Sequence, residues 1–176
     1  RTTTPKNRLN KFGWLETHES HKKCLDVTNS KVVLIGDSII KNLTYFKDIW
    51  HNYFGVKGFI NCGIGGDQVQ NVLWRVKDLR FPKTIKHVIL NCGTNNLSKD
   101  TSIDIVNRIL AIGMHILELN EGISVLVSGI LPRESASSNK RCSIEYANHY
   151  LEKFCNDNAC FHYLDMNEGW TETSGE

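Results

Sequence analysis

Beyond residue 30 the chain alternates two apolar rhythms. Val32-Val33-Leu34-Ile35 runs straight into Gly36-Asp37-Ser38, and apolar positions resume at Ile39. An unbroken, β-branched run closed by a turn signal reads as a strand buried on both faces. Comparable runs at 56–61, 87–92, 123–128 and 160–164 predict four more strands. Between them the apolar positions fall at helical spacing. Val69, Val72, Leu73, Val76 and Leu79 predict an amphipathic helix over 67–79. Ile103, Val106, Ile109, Leu110, Met114, Ile116 and Leu117 predict another over 102–120, with Thr101 or Ser102 as its N-cap. A further helix is expected over 143–156, and 39–50 reads as helical at least in part. Strands alternating with helices imply a parallel sheet with right-handed crossovers and helices on both faces. The predicted class is α/β: a three-layer α/β/α sandwich around a five-stranded parallel sheet, flavodoxin-like in strand order.

Residues 1–30 have a different texture, polar and basic, with Lys6, Arg8, Lys11, Lys22 and Lys23 and little periodicity. They are expected to form a basic arm or linker with a short docked piece at Phe12-Gly13-Trp14-Leu15. The functional alternative is an arm that binds nucleic acid or a partner. Residues 31–176 are then one domain, which suits a chain of 176 residues. A net charge of +2 neither demands nor excludes a nucleic-acid ligand. No run of about 18 apolar residues is present, so no transmembrane segment is expected, although peripheral membrane contact stays open. The first eleven residues lack the apolar centre of a signal peptide. Six cysteines without a Cys-x-x-Cys pair read as reduced thiols rather than a disulfide framework or a zinc site. Cys62 and Cys92 end predicted strands, where buried thiols fit. An intracellular, cytoplasmic protein is the resulting expectation.

The chemistry-bearing residues occupy one structural place three times. The first predicted strand ends in Gly36-Asp37-Ser38, the second in Asn61-Cys62-Gly63-Ile64-Gly65-Gly66-Asp67, and the third in Asn91-Cys92-Gly93-Thr94-Asn95-Asn96. In a parallel sheet all three turns emerge on one edge, where sites of open α/β sheets gather. Singly, each has a plain reading. Gly-Asp-Ser recurs by chance, the glycines suit a tight turn, and Asn95 or Asn96 suits a cap or turn. The glycine cluster lacks the third glycine and the later acid of a dinucleotide loop. Jointly they supply the parts of acyl transfer. Ser38 offers a nucleophile, while the Ser38 N–H, the Gly66 N–H and the Asn95 side-chain amide offer donors to a developing oxyanion. Each such donor is worth about 2.7–4 kcal/mol.

With these three turns the chain resembles the SGNH-type (GDSL-like) hydrolases, whose serine, glycine, asparagine and histidine stand in four ordered blocks. Gly36-Asp37-Ser38 resembles the first block, Gly65-Gly66-Asp67 the second and Gly93-Thr94-Asn95 the third. The phrases Gly63-Ile64-Gly65-Gly66-Asp67 and Gly93-Thr94-Asn95-Asn96 are similar to the catalytic subunits of intracellular platelet-activating-factor acetylhydrolase. The wording Val69-Gln70-Asn71-Val72-Leu73-Trp74-Arg75-Val76 looks most like the esterase domain in the first-open-reading-frame protein of vertebrate LINE-type retrotransposons. The resemblance covers about residues 31–166. It implies an SGNH hydrolase fold, Ser38 as nucleophile, and Gly66 and Asn95 with the Ser38 N–H as oxyanion hole. It further implies a small acyl-ester or lipid substrate and neither metal nor organic cofactor. The retrotransposon likeness would add RNA and self-association through a parent protein.

The family's fourth block, Asp-x-x-His, is absent from these residues, and a serine needs a base to take its proton. His162 and Asp165 make only the reversed His-x-x-Asp, on a strand where the ring is expected to face a packed layer. His87 begins a strand at the opposite edge of the sheet. His115 and His149 fall within helices, His18 and His21 in the arm, and His51 after the first helix. The base is therefore unassigned here and expected beyond Glu176, and the 176 residues by themselves are expected to be nearly inactive. The rival reading is a catalytically impaired hydrolase-fold module that binds lipid or ribonucleoprotein components without turnover.

Overall fold

In the computed structural model, residues 4–133 and 139–167 are described. Helix α1 (Trp14–Asp26) precedes strand β1 (Val32–Gly36) and the short helix α2 (Ser38–Asn42). Strand β2 (Ile60–Gly63), helix α3 (Val69–Asp78), strand β3 (His87–Asn91) and helix α4 (Ser102–Leu119) follow. Strand β4 (Ser124–Ser128), helix α5 (Asn139–Asn156) and strand β5 (Phe161–Leu164) complete the order. The five strands form one sheet in the order β2-β1-β3-β4-β5, and every neighbouring pair is parallel. This is the doubly wound order, reversing beside β1, that the alternating pattern predicts.

One face of the sheet holds the core. Val33, Ile35, Val88, Leu90, Val125, Val127 and Phe161 pack with the apolar stripes of α3, α4 and α5 in one cluster. Gly113 of α4 lets Phe161 close in, since a Cβ there would lie 2.4 Å from the phenyl ring. On the opposite face α2 lies against β1 and β2. Coverage thins toward the far edge: Leu34 on β1 is 2% exposed, but Leu164 on β5 is 44% exposed. His162, expected to face a packed layer, shares this thinly covered face and is exposed.

Four other expectations are corrected. Residues 14–26 are a helix rather than arm or linker, because Trp14, His18 and Leu25 share one face and are buried. Trp14 packs against Trp74 at 5.4 Å between ring centroids, and His18 Nε2 lies 2.9 Å from Asp78 Oδ2. Here tertiary packing rather than local propensity decides. The second strand begins at Ile60, not at residue 56. Residues 55–57 form a tight turn ended by Gly58 at φ 70°, a left-handed conformation that an extended run cannot contain. The helix expected over 39–50 stops at Asn42 and gives way to short turns of 3-10, α and π type through residue 57. Helix α5 starts at Asn139, earlier than its expected 143, and 134–138 of the serine-rich loop lie outside the described residues.

Candidate active site

The turns after β1, β2 and β3 lie side by side because these three strands are neighbours and parallel. Asp37 is the N-cap of α2: its buried carboxylate accepts a hydrogen bond from the Ile39 N–H at 2.9 Å. Ser38, the next residue, is half-buried in the first turn of α2, where a backbone N–H has no intrahelical acceptor. Gly63 must lack a side chain, since a Cβ would stand 2.3 Å from the Lys41 nitrogen. That contact brings the second turn against α2: a Cβ on Gly65 would lie 4.0 Å from the Ser38 Cβ. Gly66 turns the chain at φ 77°, the left-handed region that glycine adopts at no steric cost. Among the described residues its N–H donates to no protein acceptor, whereas the adjacent Asp67 N–H bonds to the Ile64 carbonyl at 3.3 Å.

Asn95 enters from the third turn. Its Nδ2 donates to the Asp67 carbonyl at 2.9 Å and approaches Asp37 Oδ2 at 3.4 Å. A side-chain amide has two hydrogens; the first is held firmly and the second only loosely. Its neighbour Asn96 is fully buried and ties the third turn to α3, accepting from the Val69 N–H at 3.0 Å. The same side chain donates to Gln70 at 3.0 Å and to Asp100 at 2.7 Å. Of the two asparagines weighed as caps, Asn96 caps α3 from another loop and Asn95 lies beside Asp37. The structure thus brings Ser38, Gly66 and Asn95 into one cluster of contacting turns.

Arg75 and Asp67 escaped the sequence reading. The Arg75 guanidinium, with no exposed surface, donates to the Gly36 carbonyl at 2.9 Å, the Cys62 carbonyl at 2.8 Å and Asp67 Oδ2 at 2.8 Å. One group therefore joins the carboxyl ends of β1 and β2 to the turn that carries Gly66. Asp67 Oδ1 in turn accepts from Trp14 Nε1 at 2.7 Å and Arg8 at 3.2 Å. The available signal was a charge on an apolar stripe, Arg75 between Val72 and Val76. Burial, reinforced by the nearby Asp67 carboxylate, pushes the Asp37 carboxyl up to about 6 against the counter-effects of the Ile39 N–H, Arg75 and Arg133.

Three of the histidines have hydrogen-bond partners elsewhere. His18 meets Asp78, His87 meets Ser124 Oγ at 2.8 Å, and His115 meets Glu118 at 3.2 Å. Burial drives His21 down to about 4. His149 stacks edge-on against Tyr150, and His162 stands on β5, three strands from β1. Among the described residues no histidine is hydrogen-bonded to Ser38. His18, Glu19 and Asp78 form a cluster of metal-ligand type, but the Lys22 ammonium already contacts Glu19 at 3.2 Å and Asp78 at 2.9 Å. All six cysteines are free; burial raises the Cys62 thiol to about 12, so it is no nucleophile at neutral pH. Among the described residues no helix is long and apolar enough to cross a membrane.

The chain is similar to platelet-activating factor acetylhydrolase IB subunit alpha1 of Rattus norvegicus. The two are 29% identical over 163 residues, which are 92% of this chain and 69% of the relative. Among solved structures it resembles a GDSL-like lipase from Bacteroides thetaiotaomicron, with TM-score 0.72 and 17% identity over 88% of this chain and 78% of that one. It also resembles the acetylxylan esterase Axe2 from Geobacillus stearothermophilus, with TM-score 0.61 and 12% identity over 78% and 76% of the two chains. These solved structures share the fold. No family model matches.

Proposed function

We propose that the protein is a serine esterase of the SGNH type that removes short acyl groups, acetyl foremost, through an acyl-enzyme intermediate. One observation carries the reading: the three turns that bear Ser38, Gly66 and Asn95 touch one another at the carboxyl edge of the sheet. The sequence similarity to acetylhydrolase subunits supports the same chemistry. In this mechanism Ser38 Oγ attacks the acyl carbon, and the carbonyl oxygen takes up negative charge. The N–H groups of Ser38 and Gly66 and the loosely held hydrogen of Asn95 Nδ2 donate to it. Preorganised neutral donors of this kind cost no reorganisation at the moment of reaction. The alcohol leaves, and water then attacks the acyl-serine to release the acid and restore the hydroxyl. Among the described residues no histidine is hydrogen-bonded to Ser38, so the reading assigns the proton acceptor to an Asp-x-x-His block of the full-length protein. The wording of residues 69–76 supports a LINE ribonucleoprotein as the biological setting.

The test is hydrolysis of p-nitrophenyl acetate by the full-length protein, with and without Ser38→Ala. Turnover that falls about 10³-fold or more in the variant supports the esterase; turnover untouched by the substitution ends it. That no histidine is hydrogen-bonded to Ser38 among the described residues favours a second reading, a binding module without turnover. A folded wild-type protein with no esterase activity would select that one.

A further inference from the structure

We propose that helix α1 is a clamp released by acid: the two imidazoles closed beneath it, His18 and His21, take a proton only when the helix lifts, and lifting it frees the turn that carries Gly66. The inference goes beyond the acyl-transfer reading and does not rest on it.

The helix is docked by rings. Trp14 and His18 stack with 6.0 Å between ring centroids, and each meets Trp74 of α3 at 5.4 Å. His21 stands one turn further along α1, on the same side as His18. His18 Nδ1 and His21 Nδ1 are both sealed from solvent, with no hydrogen-bond partner among the described residues. A neutral imidazole tolerates that better than an imidazolium, which carries hydrogen on both nitrogens and would bury a charged donor without an acceptor.

The surrounding charges refuse the proton as well. From α3 the buried Arg75 guanidinium acts on both rings, and from α1 itself Lys22 acts on His18. Asp78 of α3 favours a proton on His18, whose Nε2 lies 2.9 Å away, but the same oxygen is shared with the Lys22 ammonium at 2.9 Å. The charged groups acting on His21 are Arg75 and His18, neither of them an acid. Cys62 of β2, the strand against which α1 packs, is held neutral at about 12 and supplies no counter-charge. Burial first, then Arg75 and His18, brings His21 down to about 4; burial outweighs Asp78 at His18, which is lowered too. In a lifted helix both rings return to their ordinary value of 6.5. Docking is therefore at full strength above 6.5 and weakens as pH falls, about tenfold per pH unit for each ring that gains a proton on release. Asp37, which also titrates near 6, works in the opposite sense, because the folded state favours its proton.

Release reaches the site through one carboxylate. Trp14 Nε1 donates to Asp67 Oδ1 at 2.7 Å, and Asp67 adjoins Gly66. Arg8, ahead of α1 in the chain, meets the same oxygen at 3.2 Å and the Gly65 carbonyl at 3.3 Å, so the segment entering the helix holds the turn as well. The bland alternative is that the two histidines only fill space beneath α1.

Peptide-resolved amide exchange of the full-length protein between pH 7.5 and pH 5, corrected for the intrinsic pH dependence of exchange, decides between them. The proposal expects the opening constant of residues 14–26 to rise about tenfold or more from pH 6.5 to pH 5, with Asp67 following and with β3 and α4 keeping their protection. His21→Phe keeps a ring without a titrating nitrogen, and His18→Gln keeps a donor toward Asp78. His21→Phe alone is expected to cut the rise, and the double variant to abolish it. An opening constant in the wild type that does not change with pH overturns the proposal, as does a rise that His21→Phe leaves intact. Loss of protection in β3 and α4 in step with α1 overturns it too, since that is general acid unfolding. If α1 opens while Asp67 stays protected, the link to the site is wrong. Ester turnover enters none of these readouts, so the clamp and the esterase stand or fall separately.

Discussion

At the scale of single residues, the nucleophile candidate depends on neighbours that never touch a substrate. Arg75 is the strongest case, because its one guanidinium satisfies two strand-end carbonyls and the Asp67 carboxylate. Arg75→Met strips Asp67 Oδ2 of its buried cation and takes one donor from each strand-end carbonyl, although Asp67 Oδ1 keeps Trp14 and Arg8 and the Gly36 carbonyl keeps the Ile64 N–H. Breaking such a buried pair costs about 3–5 kcal/mol, readable as a lowered urea midpoint. Asp37 gives a pH signature. Its folded pKa, about 6, lies above its ordinary value of 3.8, so the folded state binds its proton more tightly than the unfolded one. Its contribution to stability is full below about 3.8 and is lost as pH rises through about 6. Asp37→Asn abolishes that loss, so the variant's stability relative to wild type should rise by up to about 3 kcal/mol between pH 4 and pH 6.5. Paired urea titrations at the two pH values check it; a difference that stays flat contradicts the burial argument. That the turns bearing Ser38, Gly66 and Asn95 share one edge was legible in the sequence, because each follows an apolar strand run and the parallel topology brings them together. The Arg75–Asp67 network was not: the two stand 8 positions apart, but Gly36 lies 39 positions from Arg75, and Trp14 and Arg8 lie 53 and 59 from Asp67.

At the scale of elements, the site is held by caps that cross between loops. The Val69 N–H at the N-terminus of α3 donates to Asn96 Oδ1, and Gln68 Nε2 donates to the Asn95 carbonyl at 3.1 Å. Asn96→Ala therefore leaves the Val69 N–H without its acceptor, at a cost of about 1–3 kcal/mol. If the third turn is anchored in this way, esterase activity should fall in step with the unfolding midpoint. Full activity with unchanged stability would show that Asn95 is positioned without its neighbour. The strands β1, β3, β4 and β5 were readable within one residue at each end, because buried apolar runs have few other uses. β2 was read too early because Val56 continues its apolar texture, while the left-handed Gly58 ends the preceding turn. Helix α1 was hidden because its exposed positions are charged and its three anchors are too sparse for periodicity to stand out.

At the scale of the whole molecule, the segment before β1 is joined to the site. Trp14 links α1 to Asp67, and Asp67 is shared with Arg75 and Arg8, so docking of α1 and placement of the Gly66 turn are one network. Trp14→Ala removes a fully buried indole and its hydrogen bond, and such truncations cost about 3–5 kcal/mol. The expected readout is a lowered thermal midpoint together with faster amide exchange in α1 and at Asp67. Exchange that accelerates in α1 alone would show that the site turn does not need it. The sheet order was readable from the alternation of elements, but the depth of this coupling was not. It depends on residues more than fifty positions apart meeting at one carboxylate.

The central claim is that Ser38 Oγ is the attacking atom. Its most direct test is covalent capture: the full-length protein is treated with a fluorophosphonate ester, and the adduct is located by mass spectrometry of its peptides. The account predicts a single phosphonylated residue, Ser38, with labelling lost in Ser38→Ala and slowed in Asn95→Ala. Labelling at another serine, or hydrolysis of p-nitrophenyl acetate that continues after Ser38 is blocked, would contradict it.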